Sequence, residues 1–123
     1  MELFGFDNNF DKVIIVEGTS DKKKIAPLIQ EPIEIICTNG TISAQKLEEL
    51  VDNHSLDNKE VYILADADDA GDKLRRQFLR ELPNASHIYI DKMYREVATA
   101  PEYHLATVLI SKNIDVDPKY LTK

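Results

Sequence analysis

Asp66-Ala67-Asp68 sets two carboxylates one residue apart, directly after the apolar run Val61-Tyr62-Ile63-Leu64-Ala65. In an extended segment, residues two apart point to the same side, so both oxygens can approach one point. A third acid, Glu17, ends another apolar run, Val13-Ile14-Ile15-Val16. Hard divalent ions take oxygen ligands, and Mg²⁺ is usually held by one or two carboxylates with water and substrate phosphate completing the shell. Three carboxylates crowded together repel one another unless a cation sits among them. Glu17, Asp66 and Asp68 are therefore candidate ligands of a divalent metal for chemistry on phosphates. Gly18 and Gly71 fit beside them, because a phosphate or a metal needs a close backbone approach that a Cβ would block. Plainer readings exist. Acids are favoured at the start of a helix that begins near Ala70, and Glu17 could pair with one of Lys22, Lys23 and Lys24. Capping explains one acid well, but not a pair accompanied by Asp69 and Asp72.

Strands alternating with helices must position these groups. Lys12 to Glu17 reads as a buried strand, four β-branched residues closed by Gly18. Ser20 or Asp21 can cap a short helix that ends before Glu31-Pro32. Ile33 to Cys37 is a second strand closed by Thr38-Asn39-Gly40, and Ser43 opens a helix with Leu47, Leu50 and Val51 on one face. The polar stretch from Asp52 to Asn58 reads as a loop. Val61 to Ala65 is the third strand, and a helix from about Ala70 to Leu82 carries the stripe Leu74, Phe78, Leu82 until Pro83 stops it. His87 to Ile90 is a fourth strand ending at Asp91. The next ten residues have no period, and Pro101 suits the first turn of a last helix over about 101–112, with Leu105, Val108, Leu109 and Lys112 on one side. The remaining dozen residues read as a tail or an extra short element. This alternation predicts one α/β domain over residues 1–123, Rossmann-like, with a parallel sheet of about four strands and helices on both faces. Ligands of such sheets bind beyond the carboxyl ends of the strands. Those ends carry Glu17, Asn39-Gly40, Asp66 with Asp68, and Asp91-Lys92.

Composition narrows the classes. The chain has 123 residues, 43% hydrophobic and 30% charged, an ordinary globular balance for one domain. No apolar run is long enough to cross a bilayer. The acidic opening Met1 to Asp7 has no signal-peptide pattern, and with Cys37 as its single cysteine the chain is expected in a reducing cytoplasm. A lone cysteine and three scattered histidines also exclude a thiolate zinc site. A net charge of −7 counts against a free-standing DNA coat, which would need Lys and Arg to neutralise phosphates. Of the 15 basic residues, nine nevertheless gather in three places: Lys22 to Lys24; Lys73, Arg75, Arg76 and Arg80; Lys92 and Arg95.

Val16-Glu17-Gly18-Thr19-Ser20-Asp21 followed by Asp66-Ala67-Asp68-Asp69-Ala70-Gly71 resembles the signature of the Toprim domain, shared by primases, topoisomerases, repair proteins and nucleases. The family pattern is a Glu after strand one, a Gly-bearing turn after strand two and Asp-x-Asp after strand three. The resemblance covers about residues 12–95. Within the family, Thr38-Asn39-Gly40-Thr41 and Gly71-Asp72-Lys73-Leu74-Arg75-Arg76 are most similar to the ribonuclease that matures 5S ribosomal RNA. The resemblance implies that Asp66 and Asp68 bind Mg²⁺, with Mn²⁺ as a substitute. It implies that Glu17 serves as general acid or base, or as a further ligand, in phosphodiester chemistry. Asp21 matches the acid closing the first motif in a supporting role, and Gly40 matches the glycine of the second turn. The chain carries neither the tyrosine domain of topoisomerases nor the zinc site of primases, so a small stand-alone Toprim protein is implied.

Lys73 and Arg76 share a helix face, and Lys92 and Arg95 follow the fourth strand at the same sheet edge; these four are candidate phosphate contacts, without base selectivity. Cys37, His54, His87 and His104 read as structural or surface residues. Asp91 is an outside candidate by position, and Met93-Tyr94 reads as packing more than as a base-stacking pair. The expectation is a Mg²⁺-dependent, nuclease-like enzyme acting on RNA, DNA or a nucleotide. A binding module for a nucleotide, a nucleic-acid end or a partner protein is the rival, and a primase-like nucleotidyl transferase ranks third. Monomer and homodimer are both open.

Overall fold

The structure, a computed structural model, describes residues 10–122. The acidic opening Met1 to Asp7 lies outside the described residues. Four strands, β1 (Lys12–Val16), β2 (Glu34–Cys37), β3 (Glu60–Leu64) and β4 (Ser86–Ile88), form one sheet in the order β2-β1-β3-β4. Each adjacent pair is parallel, with Ile14 opposite Ile35 and Tyr62, and Ile63 opposite His87. The helices α1 (Thr19–Ile25), α2 (Ala44–Asn53) and α3 (Asp69–Glu81) lie between successive strands, and α4 (Glu102–Ile110) follows β4.

The buried strands read as continuous apolar runs because both sheet faces are covered. Alternate residues of β1 enter two different cores. Ile14 and Val16 pack with Ile25 of α1 and with Leu105, Ala106 and Leu109 of α4. Val13 and Ile15 pack with Leu47 and Val51 of α2 and with Leu74 and Phe78 of α3. Among the described residues no helix is long and apolar enough to cross a membrane.

Several expected boundaries move for local reasons. Helix α1 starts at Thr19 with Gly18 as its cap, two to three residues before the expected Ser20 or Asp21. Asp21 instead sits in the first turn and accepts a hydrogen bond from the Gly18 N–H at 3.0 Å. The stretch 52–58, expected as loop, holds the end of α2 and a 3-10 turn over Leu56–Asn58, because Leu56 is fully buried. Pro101 caps α4 from outside, and α4 ends at Ile110, short of Lys112. Strand β4 stops at Ile88 because the guanidinium of Arg75 takes the Ile88 carbonyl, at 2.7 Å, where another ladder rung would form. Towards the C-terminus an isolated antiparallel bridge joins Val116 to Ile29, after α1, and a 3-10 turn follows over Pro118–Leu121.

Candidate functional site

β2 lies on one side of β1 and β3 on the other, so the winding reverses between β1 and β3. Glu17 leaves the end of β1 and Asp66 the end of β3, which puts both at this switch point, where open parallel sheets bind ligands. The two segments touch: the Asp66 N–H donates to Glu17 Oε1 at 3.2 Å.

Each candidate carboxylate spends one oxygen on the backbone. Asp66 Oδ1 accepts from the Val97 N–H at 2.8 Å, and Asp68 Oδ1 caps α3 by accepting from the Gly71 N–H at 2.8 Å. The capping reading is thus realised, but only for Asp68, and with one oxygen. The second oxygen of Glu17, Asp66 and Asp68 has no hydrogen-bond partner among the described residues. Burial pushes the Glu17 pKa up; the Asp66 N–H opposes this, and the nearby charges of Asp66, Asp68 and Asp21 add to it. Asp66 is likewise raised, first by burial and then by Asp68 and Glu96, against the pull of the Val97 N–H. Asp21 is raised by burial and by the charge of Asp66. The site is a pocket of negative charge that its own hydrogen bonds do not neutralise.

Among the described residues no group of three or more His, Cys, Asp or Glu side chains forms a ready metal cage. The donor chemistry still fits Mg²⁺, which needs only one or two carboxylates when water and phosphate supply the rest. Half-committed acids with a free oxygen each, held rigid by backbone N–H groups, meet that requirement.

The glycines divide. A Cβ on Gly71 would lie 2.0 Å from the Asp66 carbonyl oxygen, so this glycine is required by the packing of α3 against the end of β3. Gly71 thus has a packing reason for lacking a Cβ besides the expected close approach of a ligand. A Cβ on Gly18 would meet nothing closer than 3.7 Å, so packing leaves room there. Gly40 adopts φ +98° and donates its N–H to the Glu17 carbonyl at 3.1 Å, with Asn39 at φ 60° before it. The Asn39-Gly40 turn therefore braces Glu17 from β2.

The aperiodic residues after β4 turn out to belong to the site. Val97 and Ala100 are fully buried anchors. Besides the Val97–Asp66 bond, the Ala67 N–H donates to the Arg95 carbonyl at 2.7 Å, with Arg95 at φ 63°. Glu96, unnoticed in the sequence, brings a further negative charge near Asp66 and Asp21. No periodic signal could have exposed it, because the segment is held by hydrogen bonds to the Asp66–Asp68 turn.

Of the candidate phosphate contacts, Lys92 lines a cleft of about 650 Å³ with Asp66, Asp68, Asp72, Arg75 and Tyr89. Arg95 lines a second opening with Asp68 and Asp69. Lys73 and Arg76 are exposed on α3 outside both linings. Lys24 pairs with Glu102 at 3.3 Å and ties α1 to α4. Asp91 is exposed and caps the Met93 N–H, and its own N–H donates to His104 Nε2 at 2.9 Å. Tyr94 packs, its hydroxyl 3.2 Å from that of Tyr103 and its ring beside His104. Cys37 lies against the Gly18 carbonyl at 3.4 Å.

Arg75, which the sequence groups with Lys73, Arg76 and Arg80 in one basic cluster, is set apart from them by burial beside the site. It is 7% exposed and donates to the carbonyls of Ile63, Ala65 and Ile88, with His87 Nδ1 at 3.1 Å. Its position one residue from the Leu74 stripe was the available signal. A smaller concavity of about 230 Å³, including Leu56, Glu60, Tyr62 and Pro83, lies at the opposite end of the strands, away from the carboxylates.

Residues 12–93 match the model of the Toprim domain. An uncharacterized protein of Bacillus subtilis, YusF, is 51% identical over 94% of this chain and 78% of its own length. Ribonuclease M5 of Mycoplasma genitalium is 30% identical over 66% of this chain, a match spanning 44% of that relative. A solved small TOPRIM domain protein from Bacillus stearothermophilus superposes with a TM-score of 0.87 at 56% identity, covering 94% of this chain and 97% of that one. With its four parallel strands and its signature residues at their ends, the chain belongs to the Toprim family.

Proposed function

We propose that this chain is a divalent-cation-dependent enzyme that cleaves phosphodiester bonds of nucleic acid. The observation that carries the reading is the convergence of Glu17, Asp66 and Asp68 at the switch point, each with one oxygen fixed by the backbone or the turn beside it and one oxygen free. Asp66 and Asp68 would hold Mg²⁺ or Mn²⁺, which when bound offsets charge on a phosphoryl oxygen and makes water more acidic. Glu17, its pKa raised by burial and by neighbouring acids, is suited to take and return a proton at its free oxygen. Lys92 and Arg95, at the rims of the adjoining openings, are suited to hold phosphates flanking the cleaved bond. The Asn39-Gly40 turn and Asp21 keep Glu17 and the α1 start in place. The match to a protein named as a ribonuclease supports a nuclease reading over nucleotidyl transfer.

The test is cleavage of labelled structured RNA, single-stranded DNA and duplex DNA with Mg²⁺ or Mn²⁺, comparing wild type with Glu17→Gln and Asp66→Asn. Loss of about 100-fold or more in both variants is expected, the scale of removing a general base or a transition-state electrostatic contact. Cleavage no faster in wild type than in the variants, on every substrate, would replace this reading with a binding module.

A further inference from the structure

We propose that Tyr89 is a stacking platform for an unpaired base, so that the substrate of the proposed site is a single strand; the inference rests on the phosphodiesterase reading above. Tyr89 follows β4, the edge strand, and lines the same cleft as Asp66, Asp68 and Lys92. The residue is 63% exposed, a large aromatic side chain open to solvent beside charged groups. One face is covered by the Arg75 guanidinium, 4.1 Å from the ring centroid, and the His87 ring lies nearly parallel at 24° with its centroid 6.3 Å away. Arg75 is itself locked by three backbone carbonyls, so the ring is held in place before anything binds. A pre-ordered aromatic face costs little further entropy on binding.

Charge points the same way. The protein carries −7, and Lys92 and Arg95 are the cations at the cleft rims, so neutralising phosphates supplies little affinity. Base–aromatic stacking, worth about 1–3 kcal/mol per base, can supply it without charge. Bases inside a duplex already stack on one another and cannot offer a face to Tyr89; those of a single strand can.

The chain has no tryptophan, so Tyr89→Trp places its only indole on this platform. Made in the Glu17→Gln background to prevent cleavage, it is titrated with a single strand of about 12 nucleotides, its annealed duplex, and a mononucleotide at the same base concentration. Saturable quenching of about half the emission by the single strand alone is expected for an indole stacked on a base. Kinetics of the otherwise wild-type enzyme provide the second measurement. Tyr89→Leu, which keeps an apolar cover on Arg75, should raise KM for the single strand about 5- to 150-fold, and Tyr89→Phe, which keeps the ring, should restore it to within about threefold. Equal quenching by duplex or mononucleotide, no quenching at all, or an unmoved KM overturns the proposal. If single strands are cleaved while indole and KM stay silent, stacking fails and the phosphodiesterase reading stands. If nothing is cleaved, that reading fails too.

Discussion

Replacing Gly71 by alanine sets two effects against each other. Gly71 lies in the first turn of α3, where helix propensity alone favours alanine by about 1 kcal/mol. The added Cβ, however, would lie 2.0 Å from the Asp66 carbonyl oxygen and 3.0 Å from its carbon. Ordinary C···O approach is no closer than about 3.3 Å, so the helix start or the end of β3 must retreat by more than about 1 Å. The obstacle is backbone, with no flexible tip to swing aside. Overpacking costs about 1–3 kcal/mol, and a clash this deep against backbone falls at the top of that range, so after the gain of about 1 kcal/mol in propensity the net loss is about 2 kcal/mol. For a domain of this size that lowers Tm by about 6–10 °C. The retreat also moves Asp66 against Asp68, whose oxygen caps the Gly71 N–H at 2.8 Å. A shift of about 1 Å in a catalytic constellation can cost about 100-fold in rate. Gly18→Ala is the matched control, since its Cβ meets nothing within 3.7 Å and the residue already has an extended φ of −134°. It should cost less than about 1 kcal/mol, the size of a cap change. Thermal melts of the two variants decide the matter. A Gly71→Ala protein that melts at or above wild type would refute the reasoning.

Further outcomes are expected. Arg75→Lys should destabilise the fold by about 2–4 kcal/mol in urea titrations, because one ammonium cannot serve the carbonyls of Ile63, Ala65 and Ile88 together and leaves buried acceptors unpaired; a variant within about 0.5 kcal/mol of wild type would contradict this. Asp21 is raised in the folded state above its ordinary value of 3.8, so the fold binds its proton more tightly than the unfolded chain does and loses stability as pH rises through that window. Asp21→Asn should therefore gain in melting temperature over wild type between pH 4 and pH 7, with no such gain developing below about 3.8; a difference that is flat with pH counts against it. Asn39-Gly40 should tolerate change poorly: Gly40→Ala forces an L side chain to φ +98° and is expected to cost about 1–2 kcal/mol in melts and to slow cleavage through Glu17.

The strand–helix alternation was readable because β1 and β3, after their charged first residues Lys12 and Glu60, are buried on both faces and therefore run apolar through Val13–Val16 and Val61–Leu64, and because Pro83 and Ser43 mark helix ends by local chemistry. The carboxylates were readable for the same reason: an acid abutting such a run is conspicuous. What escaped depended on long-range contact. Arg75 differs from Arg76 only by a rotation of about 100° around the helix axis, yet that rotation decides between solvent and three carbonyls. Whether Gly71 serves a ligand or a neighbouring strand cannot be told from its type. The loop carrying Arg95, Glu96 and Val97 has no period because its shape is dictated by the Asp66–Asp68 turn it grips.

The same turn explains why the site should strain the fold that holds it. Glu17, Asp66 and Asp21 are all raised above their ordinary values, chiefly by burial and then by the charges of neighbouring acids, Asp68 and Glu96 among them, so the folded chain is less stable for carrying them ionised. Two perturbations should relieve that strain by different routes. Asp66→Asn removes a charge while its amide oxygen can still accept from Val97, and should melt higher than wild type in chelator. A divalent cation at ten times its Kd should stabilise the wild type by about 1.4 kcal/mol, or about 4–7 °C. The two gains should not add, because each relieves the same repulsion: Mg²⁺ should do little for Asp66→Asn. Melts of both proteins with chelator, Mg²⁺ and matched ionic strength in Na⁺ separate the cases. Equal Mg²⁺ gains in wild type and Asp66→Asn, or a gain that Na⁺ reproduces, would mean that the cation acts on the net charge of −7 and not on these carboxylates.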